Sequence, residues 1–163
     1  NLKFLTLNLT TFFYIFFVFC NFSYKIHSTI SPSFFLYVIF ICFFTDIGGY
    51  IFGKSIGGKK LTKISPNKTI SGSIGSFFLS LLIVPFFYFY LNNFDIADLI
   101  IISIISSFFC QLGDLLISYL KRKAKVKDTG NILPGHGGIL DRIDGILFAI
   151  PIGMFVVEIL QTI

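Results

Sequence analysis

Long apolar runs separated by short polar segments set the pattern of this chain. Five runs come near the roughly 20 residues that a helix needs to cross the hydrocarbon core of a bilayer. They cover about residues 3–22, 33–52, 70–91, 96–120 and 139–162. The pattern predicts an all-α fold, a polytopic transmembrane helix bundle of about five spans. Asp46, Gly48 and Gly49 interrupt the second run, and the fifth opens on charged residues. Both are therefore expected to pack inside the bundle rather than face lipid.

The polar segments set the orientation. Segment 53–69 carries Lys54, Lys59, Lys60, Lys63 and Lys68, and segment 121–138 carries Lys121, Arg122, Lys123, Lys125 and Lys127. The connection at 92–95 holds Asp95 and no cation, with Asp98 just beyond. Short loops rich in Lys and Arg stay cytoplasmic, so both basic segments are placed inside, two spans apart. Lys25 opposes this placement, but the ten cations of the two segments outweigh it. The N-terminus is expected inside and the C-terminus outside, with an active site at the cytoplasmic membrane boundary. The expected location is a bacterial inner membrane.

Composition supports the same class. The 163 residues are 55% hydrophobic with 23 Phe, and the mean hydropathy is +0.86. A soluble domain of this size would expose too much of that surface. The net charge of +5 reports topology here, and no nucleic-acid partner is expected. Cys20, Cys42 and Cys110 sit in apolar runs at spacings that fit no zinc motif, and no disulfide is expected. No repeat, linker or separable soluble domain is evident, so residues 1–163 read as a single integral-membrane catalytic domain. The chain opens on Asn1 and enters an apolar run without a cleavable signal pattern. It is expected to lack N-terminal spans of a longer protein.

Chemistry concentrates between Ser118 and Asp144, where cations, carboxylates, a histidine and glycines crowd between two apolar stretches. A membrane protein rarely places so many charges at a boundary without using them. Five carboxylates lie toward the basic side: Asp46, Asp114, Asp128, Asp141 and Asp144. Asp141 and Asp144, three residues apart at the start of a span, share one helix face. The helix macrodipole tolerates them there. Asp114, Ser118 and Lys121 can likewise share a face. Carboxylates converging from two helix ends make a hard-oxygen site suited to Mg²⁺, which takes one or two carboxylates plus substrate phosphates. Asp114, Asp141 and Asp144 are the candidate metal ligands, and a second cation is left open. The plainer alternative pairs Asp141 with Arg142 and leaves the other acids as helix caps.

Pro134-Gly135-His136-Gly137-Gly138 leads straight into the Asp141 helix. Glycines let backbone N–H groups approach a phosphate, and a helix N-terminus favours anions. His136 is read either as a phosphate contact or proton relay, or as a solvated loop residue. Lys121 and Arg122, at the membrane edge, are the better phosphate candidates. The remaining cations of 121–127 serve equally as a positive-inside anchor or head-group contacts. Segment 53–69 fails the P-loop order, because Gly58 is followed by Lys59-Lys60 rather than by Lys and a hydroxyl residue. Ser65-Pro66-Asn67-Lys68-Thr69 still offers hydroxyls and a cation for a phosphate-rich ligand.

These residues resemble the phosphatidate cytidylyltransferase (CDP-diacylglycerol synthase) family. Its signature is matched by Ser118, Lys121-Arg122, Lys127-Asp128, Pro134 to Gly138 and Asp141-Arg142-x-Asp144. Asp46 with the glycine-rich segment after it, Ser65 to Thr69, and Gly113-Asp114-Leu115 match further family elements, so the likeness covers about residues 40–163. The chain departs from the family at Ile70-Ser71-Gly72, where a Trp-like residue and Glu-Gly are usual, and it is shorter than typical members. The resemblance implies transfer of a cytidylyl group from CTP to phosphatidate, giving CDP-diacylglycerol and pyrophosphate. It implies catalytic roles for Asp114, Asp141, Asp144, Lys121 and Arg122. It implies substrate contacts at Ser65, Lys68, Ser118, Lys127, Asp128, His136, Gly137, Gly138 and Arg142. It points to Asp114 and Asp141 as the metal pair, to membrane lipids as surroundings, and is compatible with a homodimer. Two other classes compete with this reading. A CDP-alcohol phosphotransferase would need Asp-Gly-x₂-Ala-Arg with two later aspartates, a pattern that Asp144-Gly145 matches only in part. A transporter would place carboxylates near mid-membrane and toward both sides.

Overall fold

The apolar run that starts at Pro32 folds as a 24-residue helix, α1 (Pro32–Ser55). Proline suits a first helical position, where its missing N–H leaves no hydrogen bond unmade. In this computed structural model the described residues are 20, 32–62, 65–92, 94–126 and 143–162. Among them the regular elements are all helices: α1, α2 (Ile70–Leu81), α3 (Val84–Tyr88), α4 (Ile96–Lys123) and α5 (Ile146–Leu160).

Three segments are long and apolar enough to cross a membrane: Pro32–Ser55, Ile70–Tyr88 and Ile96–Lys123. They fall on the second, third and fourth runs of the sequence. The first run, 3–22, lies outside the described residues except for Cys20, as does the start of the fifth. The fifth run contributes α5, whose 15 residues span about 22 Å, short of the roughly 30 Å hydrocarbon core. The described residues therefore contain three full-length candidate spans and one shorter apolar helix.

The third run is not one continuous helix to residue 91. It breaks at Leu82–Ile83, and α3 starts with Pro85 in its first turn. A proline ring clashes with the carbonyl four residues earlier, here that of Leu81, and its nitrogen donates nothing. The chain answers by tightening: Leu82 N–H bonds Leu79 O at 3.2 Å and Phe86 N–H bonds Ile83 O at 3.0 Å. At the other end, α4 runs 28 residues, about 42 Å. It exceeds the bilayer core, and its last turn carries Lys121, Arg122 and Lys123. Cations there complement the negative end of the helix dipole.

Lipid tails are as apolar as leucine, so helices in a bilayer associate through close packing and hydrogen bonds rather than through the hydrophobic effect. The bundle follows that rule. α1 packs chiefly on α2, antiparallel, and α5 packs chiefly on α4. A Cβ on Gly48 would lie 2.6 Å from the carbonyl oxygen of Gly75, and one on Gly72 would lie 2.7 Å from that of Gly49. Only glycine permits this α1–α2 approach. Gly145 meets Cys110 and Gly113 meets Phe148 in the same way at the α4–α5 contact.

Hydroxyls join α1 to α4. The Tyr37 hydroxyl donates to Leu99 O at 2.8 Å and pairs with Ser103 Oγ at 2.6 Å. Thr45 Oγ1 donates to Ser107 Oγ at 2.8 Å, and Ser76 Oγ of α2 donates to Thr45 O at 2.7 Å. Large aromatics point outward instead: Phe43 is 60% exposed, Phe86 73% and Phe89 77%. In a bilayer that surface meets lipid. α1 and α4 run parallel, with α2 and α5 opposed to them. The ends at Ser55, Ile70, Lys123 and Ile146 consequently share one side of the bundle.

Candidate active site

On that side the loop between α1 and α2 folds back over the helix ends. Gly57 (φ +64°) and Gly58 (φ +104°) turn the chain in a backbone region that side chains rarely adopt. Lys60 and Thr69 then pair as an isolated antiparallel bridge. Leu61 N–H donates to Lys68 O at 2.8 Å and Ile70 N–H donates to Lys59 O at 3.0 Å. Thr69 caps α2, its Oγ1 accepting from Gly72 N–H at 3.1 Å. These bonds hold Lys68 at the base of the loop, beside α4.

There its ammonium group forms an ion pair with Asp114 of α4. Ser118, one turn further along α4, donates to the other Asp114 oxygen at 3.4 Å. Lys68 and Asp114 line a cleft of about 600 Å³ together with Asp46 of α1 and Asp144, which precedes α5. Thr69, Ser73 and Gln111 supply further polar walls. Gln111 accepts the Ser73 hydroxyl, which ties α4 to α2 across the cleft.

Asp144 is half-buried and accepts the Gly145 N–H at 2.9 Å. Burial, and then the nearby negative charge of Asp114, push its pKa up to about 6. The Gly145 N–H and the charge of Lys121 pull the other way without prevailing.

The donor set suits a hard divalent cation. Every lining carboxylate offers oxygen, and Lys68 already brings a positive charge onto Asp114 where such an ion would sit. Among the described residues no three His, Cys, Asp or Glu side chains form a ready-made metal cluster. A cation here would draw its remaining ligands from substrate oxygens or from beyond those residues, as Mg²⁺ commonly does.

Of the residues singled out in the sequence, Asp114, Asp144 and Lys68 meet in this cleft, and Ser118 bonds Asp114. Lys121 lies near enough for its charge to act on Asp144. Arg122 is exposed on the last turn of α4. Ser65 serves the loop, its carbonyl accepting the Lys68 N–H at 3.1 Å. Lys127, Asp128, His136, Gly137, Gly138, Asp141 and Arg142 lie outside the described residues. Asp46, Gln111, Ser73 and Thr69 line the cleft without having been chosen as site residues. Asp46 and Gln111 carried a signal, being polar groups within apolar runs. Thr69 belongs to the Ser65–Thr69 segment that offered hydroxyls for a phosphate-rich ligand, whereas Ser73 carried nothing that separates it from an ordinary helix-packing hydroxyl.

Comparison with known proteins places the arrangement. Residues 1–160 match the cytidylyltransferase family. A protein of Staphylococcus aureus (strain COL) named phosphatidate cytidylyltransferase is 50% identical over 119 residues, 72% of this chain and 46% of that protein. One of the same name from Staphylococcus haemolyticus (strain JCSC1435) is 49% identical over 119 residues, with the same shares covered. Another from Staphylococcus epidermidis (strain ATCC 35984) is 45% identical over 119 residues. The chain spans about half the length of the curated relatives it matches.

Proposed function

Because the chain belongs to the cytidylyltransferase family, we propose that it transfers a cytidylyl group from CTP to phosphatidate, giving CDP-diacylglycerol and pyrophosphate. The observation that carries this reading is the cleft in which Lys68 and Asp114 pair beside Asp46 and Asp144, at the end of the bundle that bears the basic segments. A water-soluble nucleotide and a membrane lipid can meet at such a boundary.

The reaction joins two anions, so positioning and charge neutralisation are the main tasks. A phosphatidate oxygen attacks the α-phosphorus of CTP. The bond from that phosphorus to the bridging oxygen of the β-phosphate breaks, and pyrophosphate leaves with the electron pair. The attacking phosphate is already anionic and needs no strong general base. Lys68, Lys121, Arg122 and Lys127 hold and neutralise phosphates by charge-assisted contacts. Ser65, Ser118, Asp128, His136, Gly137, Gly138 and Arg142 orient the two substrates. Asp114 and Asp141 hold a divalent cation, Mg²⁺ in this reading, with Asp144 as a further ligand or as a hydrogen-bonding support. When bound, the cation stabilises the charge that develops on phosphate oxygens. The Lys-rich segments support a cytoplasmic orientation in a bacterial inner membrane.

The test is conversion of labelled phosphatidate by the purified chain in detergent with CTP, with and without Mg²⁺. Metal- and CTP-dependent CDP-diacylglycerol is the expected product. Lack of product from both this chain and a version extended upstream would overturn the proposal.

A further inference from the structure

Three carboxylates and a single cation line the cleft among the described residues: Asp46, Asp114 and Asp144 against Lys68. The ammonium group is committed to Asp114, the carboxylate on which the proposed metal site depends. A cation and Lys68 cannot both hold that carboxylate in the same way. The two halves of the ion pair also differ in freedom. Asp114 is fixed on the long helix α4, whereas Lys68 ends a four-carbon stem on a loop. Lysine is a compact point charge that reorients readily among oxygen partners. The pair is partly open to solvent, with side-chain exposures of 28% for Lys68 and 27% for Asp114. It can therefore separate without stranding a buried bare charge, which is what makes deeply buried pairs costly to break.

We propose that Lys68 is an exchangeable counter-ion: it occupies Asp114 in the substrate-free protein and moves to the nucleotide phosphates on binding, which frees Asp114 for the divalent cation. This deepens the function proposed above and rests on it. Charge balance gives the reason for coupling. Removing Lys68 alone leaves the three cleft carboxylates with Lys121 as the remaining positive charge shown to act on them, and adding a divalent cation alone competes with an ammonium group already in place. Arrival of a polyphosphate together with a divalent cation resolves both conflicts at once. Nucleotide and cation thus bind with positive cooperativity, and the coupling is reciprocal.

The test uses Mn²⁺ as the probe, with free Mn²⁺ followed by electron paramagnetic resonance in detergent and without nucleotide. Lys68→Gln is expected to bind Mn²⁺ about tenfold or more tightly than the unaltered chain, within the usual range of coupling between sites. Lys68→Arg keeps the pairing and is expected to bind no more tightly. Adding Asp114→Asn to Lys68→Gln is expected to cancel the gain. Equal or weaker Mn²⁺ binding by Lys68→Gln overturns the proposal, as does a gain that survives Asp114→Asn or an absence of Mn²⁺ binding by any variant. Lys68→Met gives the same comparison if the Gln variant loses its cooperative unfolding transition. A gain in Mn²⁺ affinity in a chain that makes no CDP-diacylglycerol would leave the exchange standing and remove the reaction. Product formation without the gain would do the reverse.

Discussion

Asp114 joins several parts of the site: it pairs with Lys68, accepts from Ser118 and raises the pKa of Asp144. Asp114→Asn keeps the shape and removes the charge. It is expected to lower turnover by at least about a hundredfold, the scale seen when one group stabilising transition-state charge is lost. The unfolding midpoint in detergent should stay near that of the unaltered chain. Activity within a few-fold of the original would remove Asp114 from the mechanism. Asp144 makes a second prediction. Its folded pKa of about 6 stands above the ordinary carboxylate value of 3.8. Between those values the folded protein keeps a proton that the unfolded chain releases, so this group's contribution to stability falls as pH rises through the window. Asp144→Asn removes that dependence. Relative to the unaltered chain, the variant should gain stability from pH 4 to pH 6, as read by thermal unfolding without divalent cation. An unchanged difference across that range would mean that Asp144 is not held protonated by its surroundings. At this scale Asp114, Asp144 and Lys68 were legible as charges that a bilayer boundary does not tolerate idly. The pairing of Lys68 with Asp114 was not, because 46 positions separate them and only the folded loop brings them together.

The helices were legible for a reason of length. A run of about 20 apolar residues must satisfy its backbone internally in lipid, and a helix does this with local bonds alone. α1 and α4 accordingly fall where the pattern puts them. The third run shows the limit of that argument, since hydropathy does not register the clash of Pro85 with the preceding turn. Association between elements rests on small residues. Gly48→Ala forces a methyl group to within 2.6 Å of the Gly75 carbonyl oxygen. It is expected to cost about 1–3 kcal/mol, as overpacking usually does, measured by unfolding in detergent. Ile74→Ala, on the lipid-facing side of the same helix pair, should stay within about 0.5 kcal/mol. Equal effects for the two would mean that the glycine contact does not carry the α1–α2 association.

For the molecule as a whole, the parallel course of α1 and α4 gathers the basic segments and the cleft on one side and leaves Asp95 and Asp98 on the other. A cysteine placed at Lys59 should react with a membrane-impermeant thiol reagent only from the cytoplasmic face, and one placed at Asn92 only from the opposite face. Labelling of both from one face would break the arrangement. Local sequence determined much of this: the apolar runs, their polar ends, the sidedness of the lysines and the residue types at the site. Each is a matter of a segment and its solvent, and needs no distant partner. Only the tertiary structure decided which charges meet. Asp46, Lys68, Asp114 and Asp144 come from four separate stretches of chain. Their convergence depends on glycine contacts and hydroxyl bonds between helices, which no segment contains by itself.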